Sequence, residues 1–273
     1  MKRRSVPFLL LALFQSVFVL ILKKHKSANT WVLFFSNIGM AFIFEYIVLN
    51  LFQAYTYKPT VLKKRYFDNI FGAILSQGLY IPVSSTFITI FNMKWTWKVG
   101  FTIFFYCIER LFIFLKIYHI NWWRPIYTVI LLPIYYGLSD VLYKGLQQQK
   151  IITRTLATYL TIMVIETNIM FVLAYLDMIR FRIGKKQSIR LHFMIAPLYS
   201  LVMSCVSTFL AKEKGMTIRI IHLFIYKIIN SILLKLGILT VNRRLQKWTL
   251  LWYSFMVFSS RSIYRRIFRL DLH

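Results

Sequence analysis

Acidic residues are scarce in this sequence, whose 273 residues include 8 Asp and Glu against 35 Lys and Arg. Charged residues of both signs reach only 16%, whereas an ordinary soluble domain has about 25% with the two signs near balance. That shortage, together with 58% apolar residues, excludes a disordered chain and an ordinary cytosolic enzyme. Two cysteines exclude a disulfide scaffold, and nine scattered glycines exclude collagen.

What the sequence has instead is long apolar runs. Runs of about 18 or more such residues can cross a hydrocarbon core of roughly 30 Å. Seven runs qualify: Ser5 to Leu22, Trp31 to Ala54, Ile70 to Phe91, Val99 to Tyr118, Pro125 to Tyr143, Ile151 to Leu176 and Leu191 to Ala211. Two are weaker, since Ile220 to Leu239 is interrupted by polar residues and Trp248 to Ser260 is too short to cross unaided.

These runs predict the all-α class. We expect a polytopic transmembrane helix bundle of about eight spans, followed by a basic amphipathic C-terminal segment. The joints between runs are short, so residues 1–273 are expected to form a single integral membrane domain. Any site must then lie in the bundle or at its rims.

The basic residues predict orientation and partners. If residues 248–260 lie at the membrane surface and do not cross, the four arginines that follow them are counted with the loops on the side of the N-terminus. That side then has the excess of Lys and Arg, and the positive-inside rule places both termini in the cytoplasm. Basic joints beside spans also attract anionic lipid head groups. We therefore expect the lipid bilayer, with its anionic head groups, and a membrane-protein partner, and no nucleic acid.

Aromatic residues mark the expected ends of the spans, because Trp prefers the membrane interface, where its ring is buried and its N–H is wet. The alternative is that these rings are ordinary buried core aromatics. The expected interfacial anchors are Trp95, Trp97, Asn121, Trp122, Trp123 and Arg124.

Three of the eight acids, Glu45, Glu109 and Glu166, lie deep inside apolar runs. An unpaired charge there is unfavourable by roughly 2.5–3.5 kcal/mol, so each must be protonated, paired or facing a wet cavity. Helical spacing places Thr102, Glu109 and Lys116 on one stripe, and similar stripes contain Glu45 and Glu166. The intramembrane polar candidates are Glu45, Glu109, Arg110, Lys116, Arg154 and Glu166. Asp140, nearer a run end, is expected to pair with Lys144.

Two hypotheses follow for the glutamates. In one they form a proton-linked or cation-conducting path, as in a transporter or channel. In the other they bond to neighbouring cations and hold helices together. The second hypothesis is favoured and predicts a non-enzymatic accessory protein that binds a partner or lipid.

Motifs for chemistry are missing. The sequence has no phosphate-binding glycine loop, no H-E-x-x-H and no G-x-S-x-G, so no catalytic residue is expected and the protein is predicted not to be an enzyme. Its histidines and cysteines are not spaced with carboxylates as metal ligands would be. No metal and no cofactor are therefore expected.

An internal repeat is predicted from self-similarity at an offset of 121 residues, at which Glu45 meets Glu166 and Lys64 meets Lys185. The repeat would consist of two four-helix parts, 31–143 and 151–264, after one extra N-terminal helix.

One segment carries a family resemblance. Its residues are Asp68-Asn69-Ile70 opening an apolar run that contains Pro82, then Trp95 and Trp97, Ile108-Glu109, Ile117-Tyr118-His119 and Asn121-Trp122-Trp123. This spacing resembles a family of uncharacterised multi-pass membrane proteins from endospore-forming Gram-positive bacteria, over about a quarter of the chain. The resemblance implies a location in the bacterial cytoplasmic membrane and assigns no activity.

Overall fold

The computed structural model describes residues 5–25, 27–184, 188–242 and 246–268, and these confirm the all-α class. The helices are α1 Val6–Lys24, α2 Ala28–Glu45, α3 Arg65–Leu75, α4 Ile81–Ile90, α5 Trp95–Phe114, α6 Pro125–Gln147, α7 Ile151–Tyr175, α8 Ile189–Lys212, α9 Met216–Lys235 and α10 Gln246–Phe268. The chain divides into two compact units, a first unit Met1–Thr153 and a second unit Arg154–His273.

Within the described residues, seven helical stretches are long and apolar enough to cross a membrane. They are Val6–Lys24, Asn29–Leu51, Arg65–Ile90, Pro125–Gln147, Ile151–Tyr175, Ile189–Lys212 and Met216–Lys235. The protein is therefore a multi-pass membrane protein. The seven include α9, whose run was interrupted by polar residues in the sequence.

Two long helices, α5 and α10, fall outside that set. Helix α5 was expected to span, but it carries Lys98, Glu109 and Arg110 within 20 residues. Helix α10 has 23 residues, as many as α6, yet it is not apolar enough to qualify, as expected from the short apolar run Trp248 to Ser260. Its basic last turn, with Arg265 and Arg266, distinguishes it from the apolar helices.

Two π-helical segments interrupt the first unit. One, Tyr46–Leu51, continues α2 directly, and the other, Ser76–Tyr80, joins α3 to α4 in one rod. The second has a local cause, because Pro82 cannot donate a backbone hydrogen bond and its ring crowds the carbonyl four residues earlier. π-Helical turns widen the helix and often occur at functional sites.

Short strands follow helices in both units, and the apolar runs did not predict them. In the first unit β1 (Tyr55–Tyr57) pairs antiparallel with β2 (Tyr118–Ile120), with Tyr57 opposite Tyr118. In the second unit β3 (Ile179–Phe181) pairs antiparallel with β4 (Leu239–Val241). The ladders satisfy backbone N–H and C=O groups where the chain leaves its helices.

The order of elements is the same in the two units once α1 is set aside. Each has a helix, a strand, two helical rods, a second strand and a final helix. The ladders end alike too, because Lys58 N donates to Ile117 O at 2.8 Å and Arg182 N donates to Ile238 O at 2.8 Å.

A side chain near the start of the next helix closes each ladder. In the first unit Tyr57 N donates to Asn69 Oδ1 at 2.7 Å, and in the second Phe181 N donates to His192 Nδ1 at 3.1 Å. His192 must therefore hold its proton on Nε2 when neutral. An amide and an imidazole thus perform the same backbone contact.

The strands bear on the expected alignment of the two units. Tyr55 in β1 corresponds to Ile179 in β3, a separation of 124 residues, whereas Tyr118 in β2 corresponds to Leu239 in β4, a separation of 121 residues. The match between Glu45 and Glu166 stays a prediction.

We predict that Gly72→Ala destabilises the first unit. A Cβ at Gly72 would lie 2.5 Å from Tyr57 Cβ, so the backbone of α3 or β1 must shift. Such overpacking costs about 1–3 kcal/mol. The measurement is thermal unfolding of the purified full chain in detergent micelles.

Gly137→Ala in α6 is the matched control, because nothing lies within 4 Å of its Cβ position. Alanine there should raise stability by about 0.5–1 kcal/mol, as in other helix interiors. Equal melting shifts for the two variants would contradict the close packing of α3 on β1.

Candidate functional site

A cavity of about 380 Å³ lies inside the first unit and is called the first-unit cavity below. Its wall is formed by α1, α2, the π-helical segment Ser76–Tyr80, α5, α6 and both strands. Most wall residues are aliphatic or aromatic, and the non-aromatic polar ones are Ser76, Gln77, Glu109 and Thr128. An apolar cavity with a few convergent polar groups is the usual form of a small-molecule site.

Glu45 lies directly behind this wall. Its side chain is 5% exposed, and its Oε2 accepts hydrogen bonds from Tyr55 Oη at 2.6 Å and Gln77 Nε2 at 3.2 Å. Both donors belong to the cavity wall. Its other oxygen, Oε1, is buried and has no hydrogen-bond partner among the residues that the structure describes.

The local fold explains why these groups meet. Glu45 is the last residue before the first π-helical segment and Gln77 lies within the second, while Tyr55 opens β1. Burial, followed by the neighbouring Glu45 carboxyl, raises the pKa of Tyr55 well above its ordinary value. Tyr55 therefore keeps its proton and remains a donor to Glu45.

Glu109 reaches the same cavity from α5. Its Oε2 accepts a hydrogen bond of 2.5 Å from Thr128 Oγ1 on α6. Its Oε1 is also buried, and the indole N–H of Trp123 lies close to this carboxyl and stabilises its charged form. Two carboxyl groups are thus associated with one cavity.

Four of the aromatic rings in the wall lie on the ladder or just after it, and we call Tyr55, Tyr57, Tyr118 and Trp123 the aromatic cluster. Alternation along β1 places Tyr55 and Tyr57 on one face, and the register places Tyr118 opposite Tyr57. Ring centroids are 5.0 Å apart for Tyr57 and Tyr118 and 5.4 Å apart for Tyr55 and Trp123.

Both glutamates lie near the aromatic cluster. Burial, then Tyr57, then the Glu109 and Glu45 carboxyls raise the pKa of Tyr118 well above its ordinary value. Both glutamates therefore act on one phenol of the cluster. No Lys, Arg or His belongs to the wall among the residues that the structure describes.

Glu166 belongs to the second unit and has its own partner. It is fully buried, and its Oε2 accepts a hydrogen bond of 3.0 Å from Tyr226 Oη, which also lies 3.2 Å from Ser207 Oγ. Its Oε1 has no partner in the described ranges. Across those ranges no ion pair joins Glu45, Glu109 or Glu166 to a Lys or Arg.

The predicted cationic candidates lie elsewhere. Arg110 is exposed, and Arg154 is buried in the second unit with its guanidinium 5.9 Å from the Phe268 ring. Lys116 is exposed beyond the end of α5, at a positive φ of 57°. The stripe expected to join Lys116 to Glu109 is therefore wrong, because the helix ends before it.

Of the expected interfacial residues, Trp95, Trp97, Trp122, Asn121 and Arg124 are exposed. Asn121 and Trp122 also close a turn, since Asn121 Nδ2 donates to Gln53 O at 2.6 Å and Trp122 Nε1 donates to Phe52 O at 2.8 Å.

Trp123 differs from its neighbours because it is only 7% exposed and lines the cavity. The backbone explains this, since Asn121 N and Trp123 N both donate to Ala54 O and turn the ring inwards. The expectation that Trp123 is an interfacial anchor is thus corrected.

Asp140 pairs with a different cation than expected. It forms an ion pair with Lys98 of α5, and not with Lys144, and accepts a hydrogen bond of 2.8 Å from Thr89 of α4. Thr89 Oγ1 also lies 2.9 Å from Ser139 Oγ, which accepts from Asn37 of α2 at 3.0 Å. This polar network connects four helices of the first unit and acts as interhelical hydrogen bonding.

The described residues contain no group of three His, Cys, Asp or Glu side chains placed to hold a metal ion. In comparisons with known proteins, no family model, no curated protein and no solved structure matches the chain. Functional inference therefore depends on the geometry of the first unit.

We predict that Tyr55→Phe lowers the stability of the first unit by about 1–3 kcal/mol, because buried Glu45 loses the shorter of its two hydrogen bonds. Unfolding in detergent micelles measures the effect. Tyr106→Phe is the control, since Tyr106 lies on α5 without a hydrogen bond in the described residues. The contact would be unimportant if both variants unfolded like the unchanged protein.

Proposed function

We propose that this protein is a non-enzymatic membrane component that binds a lipid-like small molecule in the first-unit cavity. The observation that carries the proposal is the cavity itself, with its largely apolar wall and few polar groups. Its volume of about 380 Å³ falls within the range of about 300–1,000 Å³ typical of ligand pockets.

The energetics of packing support occupation of the cavity. A ligand with an apolar body would bury the apolar side chains of the wall, and burial of apolar surface is favourable by about 25 cal/mol per Å².

The side chains of the wall favour binding over catalysis. Neither a histidine nor a cysteine nor a cation belongs to the wall in the described residues, and the Thr128 hydroxyl beside the Glu109 carboxyl is engaged in a hydrogen bond to it. The carboxyls have hydroxyl and amide partners, which fix their orientation. This arrangement suits the orientation of a ligand's polar group.

The setting proposed for this activity is a bacterial cytoplasmic membrane, with both termini cytoplasmic. Basic joints would then meet anionic lipid head groups, each residue contributing roughly 1 kcal/mol of attraction near the surface. A membrane-protein partner is part of the proposal, whereas nucleic acid is not. We also propose that the units are two copies of one four-helix repeat, which the equivalent ladder bonds support.

Proton-linked transport or cation conduction is the second candidate. It is favoured by one observation, that Glu45 and Glu166 each have a buried carboxyl oxygen without a hydrogen-bond partner in the described residues. Paired structural carboxyls would have both oxygens engaged. A carboxyl with a free oxygen can exchange a proton or accept a cation.

We predict that a neutral apolar probe, 1-adamantanol, raises the melting temperature of the full chain in detergent micelles, because a ligand that binds only the folded state stabilises it. Leu132→Trp should remove most of this shift, since Leu132 is buried in the cavity wall and the larger ring fills the space.

Leu198→Trp is the matched control, because Leu198 is an exposed leucine of α8 in the second unit. It should keep the full probe-induced shift. The proposal fails if the probe stabilises none of the proteins, or if it stabilises Leu132→Trp as much as the control.

A further inference from the structure

We propose that the first-unit cavity selects ligands that carry an ammonium group on an apolar body. This inference rests on the proposed function, because it requires that the cavity binds a ligand. It concerns only the sign and type of the ligand's polar group. It is supported by the charges, the aromatic rings and the Glu109 carboxyl of the cavity wall.

The charged side chains of the wall indicate which sign of ligand charge the cavity favours. The chain has 35 Lys and Arg, yet none belongs to the wall among the described residues. The wall does include Glu109, and its members Tyr55 and Gln77 both donate to Glu45. An anionic head group would find carboxylates and no cation, so this cavity disfavours it.

The aromatic cluster adds a second attraction for a cation. Tyr55, Tyr57 and Tyr118 share one face of the ladder, and Trp123 packs 5.4 Å from Tyr55 between ring centroids. The π-face of an aromatic ring is negative, so it attracts an ammonium group. Several rings beside a carboxyl form the kind of environment in which proteins recognise alkylated amines.

Hydrogen bonding favours the same group. The Glu109 carboxyl belongs to the cavity wall, where Thr128 donates to its Oε2. An ammonium group brings up to three N–H donors, whereas an alcohol brings one and a carboxylate brings none. A bound ammonium group also supplies the positive charge that a carboxylate in an apolar region requires.

Three probes with the same apolar cage test the proposal: 1-aminoadamantane, 1-adamantanol and 1-adamantanecarboxylate. Each is titrated into the full chain in detergent micelles at neutral pH, and affinity is read from the concentration dependence of the melting temperature. We expect the amine to bind at least about ten-fold more tightly than the alcohol, and the carboxylate to bind most weakly.

Variants assign the effect to the cavity. Glu109→Gln removes the charge but keeps the shape and the Thr128 contact, so the amine should bind about as weakly as the alcohol while the alcohol is unaffected. Glu109→Asp should retain part of the preference for the amine. Glu166→Gln, a buried glutamate of the second unit, is the control and should leave all three affinities unchanged.

The outcomes separate the two proposals. Equal binding of amine and alcohol by the unchanged protein, or tightest binding of the carboxylate, would overturn the ammonium preference while the ligand cavity stands. An amine preference that persists in Glu109→Gln would overturn the assignment to this carboxyl. If no probe shifts the melting temperature, the proposed function fails, and this inference fails with it.

Discussion

The pairing of β1 with β2 is the interaction on which the rest of the first unit depends. Where the chain leaves a helix inside a membrane protein, its backbone N–H and C=O groups need partners other than water. The ladder supplies these partners over three residues in each strand. The N–H of Tyr57, which the ladder leaves without a partner, donates to the Asn69 side chain. Because side chains alternate along a strand, the same pairing also brings Tyr55, Tyr57 and Tyr118 to one face. Backbone satisfaction thus builds one wall of the cavity.

The two units use the same ladder with different side chains. Ladder ends, strand register and the helix residue that closes each ladder correspond between the units. Yet the positions of Tyr57 and Tyr118 are occupied by Phe181 and Leu239 in the second unit, which pack in its apolar core. Phenol hydroxyls at this face are therefore a property of the first unit, as is the carboxyl of Glu45 that bonds to Tyr55. A shared backbone with divergent side chains is compatible with a binding role for one unit and a structural role for the other.

Charge is distributed unevenly in this protein. Thirty-five basic residues give the chain a net charge of +27, but the first-unit cavity has carboxyl groups and no described cation in its wall. Cations belong near water and anionic lipid head groups, where they are stable, and the exposed Arg110 and Lys116 illustrate this. Glu109 is an acid kept in the wall of this cavity in a very basic chain, with one oxygen held by Thr128. By contrast, the ion pair of Lys98 with Asp140 has both partners in place and connects helices.

The sequence by itself determined the helical class, most of the spanning helices and the presence of acids within them. Each of these depends on the composition of one continuous run, because burial in lipid acts on every residue of a span. Tertiary structure alone decided the strands, the π-helical turns, the burial of Trp123 and the choice of Lys98 over Lys144 by Asp140. Each depends on residues distant in sequence: Tyr57 meets Tyr118 across the ladder, and Trp123 turns inwards because Ala54 accepts its backbone N–H. Helical periodicity shows which side chains share a face of one helix, but a site forms where faces of several helices meet, and their relative rotation is set by packing.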